Sequence, residues 1–341
     1  MKAVDSIGIG DNELLISRMV FGLQPTFDMQ ILNSLVPIFA VIGLGMILRS
    51  KNWLTQETTQ AFNRFAYYFA LPLFLFYKLG GAPTGTGLAN RFMVTLFGAS
   101  VATAIVGWGV AAVFKTKHAS RGALIQAGFR GNLAFIGLPL VLFATAGLAA
   151  EQRIQIQSAV LVALSPVVIF YNTASVAVLA VYNEQTEARF SWRSIGYNMI
   201  TNPLLLACLA GISVQLLGWR IPIAIERTCE VLGASAFPMA LVGIGSQLAS
   251  ISVRGHWGSS LLATALKNVF CPMVGWLIGR AMGLEGIELT VILILCAVPT
   301  AVSSCVLAEQ MRSDPDLAAS SLVIATACSL ITLSILLALP L

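Results

Sequence analysis

The strongest constraint on this chain is a series of long apolar stretches separated by short polar loops. A helix that crosses a bilayer needs about 20 mostly apolar residues. Ten stretches meet this condition, at roughly 30–48, 60–79, 91–114, 122–146, 154–182, 195–217, 228–250, 258–282, 287–311 and 316–340. Helices satisfy their own backbone hydrogen bonds in lipid, which open strands cannot do. The pattern predicts an all-α membrane protein with ten transmembrane helices in a lipid bilayer.

Composition excludes several other classes. Charged residues make up 10% of the 341 residues, far below the roughly 25% of soluble domains. The net charge of +5 is spread over short loops, so we expect no nucleic-acid partner. The six cysteines include no Cys-x-x-Cys pair, and His118 and His256 both fall in predicted loops. The sequence therefore predicts no metal site and no cofactor.

The first 28 residues differ from the rest of the chain. Charged residues interrupt their apolar run, and they do not fit the pattern of a signal peptide. We interpret residues 1–28 as an N-terminal tail. It is either an amphipathic surface segment or an extension from an early start codon ahead of Met19 or Met29.

Matching features recur in the same order in two halves of the chain. The shared features are an asparagine followed by a proline in the first and sixth stretches, and an Ala-x-Pro in the second and seventh. The residues are Asn33 with Pro37, Asn198 with Pro203, Ala70 with Pro72, and Ala236 with Pro238. The order predicts two five-helix repeats, 29–182 and 195–341, joined by a central loop at 183–194. Because five is odd, the second repeat must be inverted relative to the first.

The distribution of basic residues predicts the orientation. With the N-terminus outside, the inner loops hold nine Lys or Arg residues and the outer loops hold six. Basic residues are enriched in cytoplasmic loops. We therefore expect a bacterial inner-membrane protein with both termini in the periplasm.

The fourth and ninth stretches contain corresponding glycine and proline interruptions. The segments are RGNLAFIGLP at 130–139 and CAVPTAVSS at 296–304. Such paired breaks indicate a transporter binding site, where half-helix N-termini favour an anion. The candidate substrate-binding residues are Gly131, Asn132, Leu133, Pro139, Pro299, Thr300, Ala301, Ser303 and Ser304. The alternative is a pair of ordinary proline kinks.

Other polar residues inside the stretches are candidate charge or cavity partners. Arg64, Arg130 and Lys267 could attract an anion, or could snorkel or pair with carbonyl groups. Glu309 is the main acidic candidate, and the alternative is an interfacial cap beside Arg312. Three further polar residues of the fifth stretch either line a cavity or join helices by hydrogen bonds. They are Ser165, Tyr171 and Asn172.

Three segments resemble a known family. They are FNRFAYYFALP at 62–72, Asn132 with Gly137 and Pro139, and AVPTAVSSCVLAE at 297–309 followed by DPDLA. Together they resemble the auxin efflux carrier family, which includes the plant PIN proteins and bacterial malonate or malate permeases. The chain departs from the plant members at Gly131, where they have proline, and in its short central loop.

The resemblance implies a fold similar to that of the bile-acid sodium symporters. Helices 1, 2, 6 and 7 would form a scaffold, and helices 3–5 and 8–10 a moving domain of the elevator type. The broken helices 4 and 9 would cross near the bilayer midplane. Members of the family move small organic carboxylates, often outward, and tend to be homodimers.

The functional prediction is a secondary transporter of small organic anions, such as auxin-like or malonate-like mono- or dicarboxylates, acting in efflux. A sodium- or proton-coupled symporter of the related fold is the alternative within transport. A membrane-embedded enzyme would need a catalytic dyad or a metal cluster, and the stretches supply neither paired acids nor histidine. We therefore expect no enzymatic activity. A receptor would not need two corresponding helix breaks.

Overall fold

The structure is a computed structural model that describes residues 27–81, 86–182, 201–253 and 255–339. Within these ranges the chain is helical apart from short connections and one isolated antiparallel bridge, between Gly131 and Thr300. The central loop at 183–194 lies outside the described residues. So does the N-terminal tail, except for its last two positions.

The described residues form twelve helical segments, which we number in chain order. They are α1 (Phe27–Ser50), α2 (56–80), α3 (Thr86–Val113), α4 (His118–Phe129), α5 (Leu133–Ala144), α6 (Ala150–Val181), α7 (Pro203–Leu216), α8 (Ile223–Ser250), α9 (Trp257–Ala281), α10 (Gly286–Ala297), α11 (Ser303–Gln310) and α12 (Pro315–Ala338).

Six of the described helices are long and apolar enough to cross a membrane by themselves. They are α1, α3, α6, α8, α9 and α12. The fourth and ninth predicted stretches are each divided into two shorter helices, α4 with α5 and α10 with α11. The sixth stretch is described only from residue 201, and α2, which contains the second stretch, carries Glu57, Arg64 and Lys78. These features explain why six spans, not ten, stand out by length and composition.

Three prolines inside the helices each follow a π-helical turn. The turns are Ala66–Ala70, Leu133–Gly137 and Leu266–Phe270, and the prolines are Pro72, Pro139 and Pro272. A proline removes one backbone N–H and crowds the preceding turn. The wider π turn relieves this crowding, so the helix continues.

This arrangement corrects the predicted position of the first break. The sequence indicated an interruption at Gly137 and Pro139, but both residues are helical. The chain leaves the helix earlier, at 130–132. Asn132 lies at the N-terminal end of α5, where its side chain caps the helix, and Pro139 lies within α5.

Two helix pairs pack with their backbones in direct contact. α1 lies against the second half of α8, and α7 lies against the second half of α2. A methyl group on Gly45 would lie 2.2 Å from the Val242 carbonyl oxygen, and one on Gly211 would lie 2.8 Å from the Phe76 carbonyl oxygen. Small residues allow helices in membranes to approach this closely, so larger side chains at these glycines would separate the pairs.

The remaining helices surround α4 and α10. α3 packs against α6 and α9, and α4 contacts α3, α6, α9 and α12. Residues 122–130, at the end of α4 and just beyond it, are all buried, as are residues 291–300, which cover the end of α10 and the start of the following connection. The two helix breaks therefore lie in the interior of the protein.

Candidate functional site

The connections between α4 and α5 and between α10 and α11 run antiparallel and pair with each other. The Asn132 N–H donates to the Pro299 carbonyl oxygen at 2.8 Å, and the Ala301 N–H donates to the Arg130 carbonyl oxygen at 3.0 Å. The Thr300 hydroxyl donates to the Ala127 carbonyl oxygen at 2.7 Å. We call these paired connections, residues 130–132 and 298–302, the crossover.

Four helix ends meet at the crossover: the C-termini of α4 and α10 and the N-termini of α5 and α11. The first N–H groups of a helix have no partner within it, and the helix dipole adds partial positive charge there. The Asn132 side-chain oxygen accepts from the Phe135 N–H at 3.3 Å and so caps α5. Its Nδ2 group is buried and has no partner among the described residues.

Arg130 is the charged residue at the crossover. It is 6% exposed, and its Nη2 donates to Asn172 Oδ1 at 2.6 Å and to Ser303 Oγ at 2.9 Å. Its Nη1 is buried without a partner in the described part of the chain. A buried donor without a partner costs about 1–3 kcal/mol, and more when it is charged. The structure thus brings together three predicted residues and leaves one guanidinium nitrogen free for a ligand.

Residues of α2 and α7 face this cluster. The Tyr67 side chain interacts electrostatically with Arg130 and hydrogen-bonds to the side chain of Asn202, which caps α7. The Tyr67 and Phe135 rings lie with their centroids 6.5 Å apart. The sequence interpretation did not assign Tyr67 or Asn202 to the site. The Asn202-Pro203 pair is a helix-start signal that could have located Asn202 at a helix end.

A small apolar cavity of about 20 Å³ adjoins the site. It is lined by Ala134 and Leu138 of α5 and by residues of α2 and α6. Ligand pockets usually measure about 300–1,000 Å³, so this cavity is too small for an organic acid. Ser303 is exposed and Asn172 is partly exposed, so the polar edge of the Arg130 cluster is open. The buried donors lie behind that edge.

The other candidates of the second break are buried near the crossover. Pro299 contributes its carbonyl group, and Ala301 contributes its N–H, to the pairing of the two connections. Ser304 is fully buried, and its hydroxyl has no partner among the described residues. In the first break, Leu133 and Pro139 are buried within α5 as packing residues.

Lys267 lies on the π turn of α9 and is fully buried, so it does not snorkel. Its ammonium group donates to the Cys296 carbonyl oxygen, as the carbonyl-pairing alternative predicted. A methyl group on Gly131 would lie 2.9 Å from Lys267 Cε. The absence of a side chain at Gly131 therefore lets the lysine lie against the crossover.

Three predicted candidates, Arg64, Glu309 and Ser165, are not part of the Arg130 cluster. Arg64 is exposed because the first part of α2 is amphipathic, and Glu309 is exposed near the end of α11. Ser165 bonds to the Cys208 Sγ at 2.6 Å and so joins α6 to α7, although it also lines the small cavity. The Tyr171 hydroxyl bonds to the Ser100 hydroxyl at 2.9 Å and joins α6 to α3, and it also interacts with the Gly131 backbone and with Arg130 at the crossover. The side-chain hydrogen bonds of Arg130 within the described residues go to Asn172 and Ser303, and neither Arg64 nor Glu309 takes part in them.

Histidine, cysteine and acidic side chains do not gather in groups of three or more in the described ranges. The two histidines are placed apart from the crossover: His118 begins α4, and His256 pairs with Asp314 at 3.7 Å.

Comparison with known families places the chain in a functional class. The sequence model of the family described as membrane transport protein matches residues 30–337. The chain belongs to this family. It is the auxin efflux carrier family that the three segments resemble, and that resemblance is confirmed.

Three relatives match over most of both chains. An uncharacterized transporter of Methanocaldococcus jannaschii is 22% identical over 87% of this chain and 95% of its own. A protein of Rhizobium meliloti named "Putative malonate transporter" is 23% identical over 89% and 94%. An uncharacterized transporter of Methanothermobacter thermautotrophicus is 22% identical over 88% and 95%. With its spanning helices, the chain is an integral membrane transporter of this family.

Proposed function

We propose that the protein is a secondary transporter of small organic anions and that the crossover is its anion site. The observation that carries the proposal is a pair of buried donors, Arg130 Nη1 and Asn132 Nδ2 on either side of Gly131, that have no partner in the described part of the chain. Both lie where helix N-termini add positive potential. A carboxylate entering there would satisfy both donors.

Simple energetics favours a charged oxygen ligand over water or a neutral molecule. Hydrogen bonds to charged groups contribute about 1.5–3 kcal/mol each, and arginine can bind a carboxylate through two parallel bonds. No carboxylate side chain bonds to Arg130 among the described residues. The positive charge is therefore available to a substrate. The name of the Rhizobium meliloti relative points to the same ligand class.

The proposed architecture is ten helices in two inverted repeats, 29–182 and 195–341. The two close helix pairs support this architecture, because each contacting residue of one pair has a counterpart in the other pair at the same separation in sequence. Gly45 and Gly211 are 166 residues apart, and so are Phe76 and Val242. The same shift relates the prolines of the matching helices. Those pairs are Pro37 with Pro203 and Pro72 with Pro238.

Helix packing supports a division into a scaffold and a moving domain. The first set of helices consists of α1, α2, α7 and α8, which have their most extensive contacts with one another. The second set consists of α3–α6 and α9–α12, which together also have their most extensive contacts within the set. The crossover belongs to the second set, whereas Tyr67 and Asn202 belong to the first. A sliding movement of the second set would carry Arg130 past these two residues, which is an elevator form of alternating access.

The proposal extends to the direction of transport, the oligomeric state and the orientation in the membrane. Outward flux and a homodimer follow from the resemblance to the auxin efflux carriers, and periplasmic termini in a bacterial inner membrane follow from the basic residues of the loops. Sodium coupling has no support in the described residues near the crossover, because Glu309 is exposed and Arg130 has no acidic partner.

The test begins with purified protein in nanodiscs, screened by thermal shift against mono- and dicarboxylates at matched ionic strength. A ligand that prefers the native state raises the melting temperature. We expect at least one carboxylate to do so, and expect proteoliposomes to transport it equally in sodium and choline buffers. Failure of every carboxylate to stabilise the protein or to be transported would contradict the proposal, and steep sodium dependence would favour the symporter.

A further inference from the structure

Lys267 poses an electrostatic problem that the anion site does not explain. The residue is 0% exposed, in the interior of the second helix set. Its ammonium group donates to the Cys296 carbonyl oxygen and lies 3.8 Å from the Cys271 Sγ. The ion pairs found between described residues do not include it. Burying an ammonium group costs several kcal/mol unless an opposite charge compensates.

The C-terminal end of α10 supplies that compensation. Cys296 is next to the last residue of α10, and the final carbonyl groups of a helix have no N–H partner within it. The aligned peptide dipoles place about half a negative charge at this end. Lys267 thus neutralises an end of the broken helix that would otherwise be buried with its carbonyl groups unpaired.

The ammonium group also lies directly beside the crossover. A methyl group on Gly131 would lie 3.2 Å from Lys267 Nζ. Gly131 is flanked by Arg130 and Asn132 and is paired with Thr300. The positive charge of Lys267 therefore acts over a short distance, through a dry interior, on any anion held by Arg130 and Asn132.

We propose that Lys267 is a resident cation of the crossover. Its ammonium group supplies the positive charge that stabilises the C-terminal end of α10, through its bond to the Cys296 carbonyl oxygen. Lys267 is a positioning residue, since it bonds to the C-terminal end of α10 and lies against Gly131 of the first connection. Its effect on the anion rests on the proposed function, whereas its effect on the fold does not.

The test removes the lysine and returns its charge in a separate molecule. Lys267→Ala leaves space for ethylammonium, which has the same donor group, but not for tetraethylammonium, which has the same charge and no N–H. We expect Lys267→Ala to melt below wild type. Ethylammonium should raise its melting temperature by about 2–4 °C relative to tetraethylammonium at equal concentration. Wild type and the exposed-site control Arg64→Ala should respond equally to both salts.

Either of two results would overturn the proposal: an Lys267→Ala protein as stable as wild type, or one that responds equally to both salts. These melting experiments contain no carboxylate, so their outcome is independent of the anion site.

If Lys267→Ala cannot be purified, the melting temperatures of Lys267→Arg and Lys267→Gln test the proposal instead. Arginine keeps the charge and should melt closer to wild type, whereas glutamine keeps only a hydrogen-bond donor and should melt lower. A glutamine variant as stable as the arginine variant would reduce the role of Lys267 to a neutral hydrogen bond.

Discussion

The two connections of the crossover share a backbone arrangement but differ in what they offer a ligand. The first, at 130–132, places Arg130 and Asn132 with buried donors that have no partner among the described residues. The second, at 298–302, uses the Pro299 carbonyl group and the Ala301 N–H to bind the first. The comparison teaches that similar helix breaks can have different roles. We expect the first connection to hold the anion, and the second to position it and to bend.

The largest effect should come from removing the charge of the first connection. Arg130→Gln loses the guanidinium group and at least one charge-assisted hydrogen bond to the anion. We expect the affinity for a carboxylate substrate to fall about 100-fold, which corresponds to about 2.7 kcal/mol. Isothermal titration of the purified variant measures this, with Arg64→Gln as the control because Arg64 is an exposed arginine in the same protein. An equal loss of carboxylate affinity in both variants would show that the net charge of the protein, and not a local contact with Arg130, attracts the anion.

A smaller effect should follow from changing the amide of the first connection. Asn132→Ala removes the free Nδ2 donor and the cap of α5, so carboxylate affinity should fall about tenfold. Asn132→Asp retains an oxygen that can cap the helix but places a negative charge against the anion. It should therefore bind more weakly than Asn132→Ala, while melting at a higher temperature. The reverse order of affinities would show that Asn132 is a helix cap alone.

In the second connection, Pro299→Ala should change movement more than binding. The proline has no N–H and interrupts the helical bonding of α10, whereas alanine would allow α10 to extend. The Pro299 carbonyl group accepts from Asn132, and alanine keeps that acceptor. We expect carboxylate affinity within about threefold of wild type and a transport rate reduced about tenfold in proteoliposomes. A normal rate with weak binding would assign Pro299 to the anion site instead.

The smallest effect should come from Ser303→Ala. The Ser303 hydroxyl accepts from Arg130 Nη2, which also bonds to Asn172. Because Asn172 keeps the guanidinium group oriented, the affinity should fall by about threefold or less. The double variant Ser303→Ala with Asn172→Ala should lose more than the sum of the two single effects, since Arg130 would then have neither acceptor. Additive losses in titration would mean that the two acceptors act independently.

The sequence predicted the helical membrane fold because long apolar stretches leave few other solutions. It also predicted the two breaks, since glycine and proline recur at corresponding places. It misplaced the first break, because a π turn allows Pro139 to remain helical, and no simple periodicity reports such a turn. Which basic residue reaches the site also depends on packing. Arg64 is exposed, while Arg130 is held by acceptors on α6 and α11 that lie far away in the sequence.

Two features of the site could not be read from the chain. Tyr67 lies in the second apolar stretch beside other aromatic residues, and only the packing of α2 against the second helix set brings its ring against Phe135 and its hydroxyl within electrostatic range of Arg130. The role of Gly131 depends on Lys267, whose Nζ would lie 3.2 Å from a methyl group there. Both depend on contacts between helices that are distant in sequence, which composition and spacing do not specify.

The most direct test of the central claim is to locate the anion. A bromine-labelled carboxylate that stabilises the protein in the thermal-shift screen is diffused into crystals, and its position is found from the anomalous signal of bromine. The account predicts a carboxylate within about 3 Å of both Arg130 Nη1 and Asn132 Nδ2. A carboxylate bound elsewhere, with these two donors still lacking an anionic partner, would contradict it.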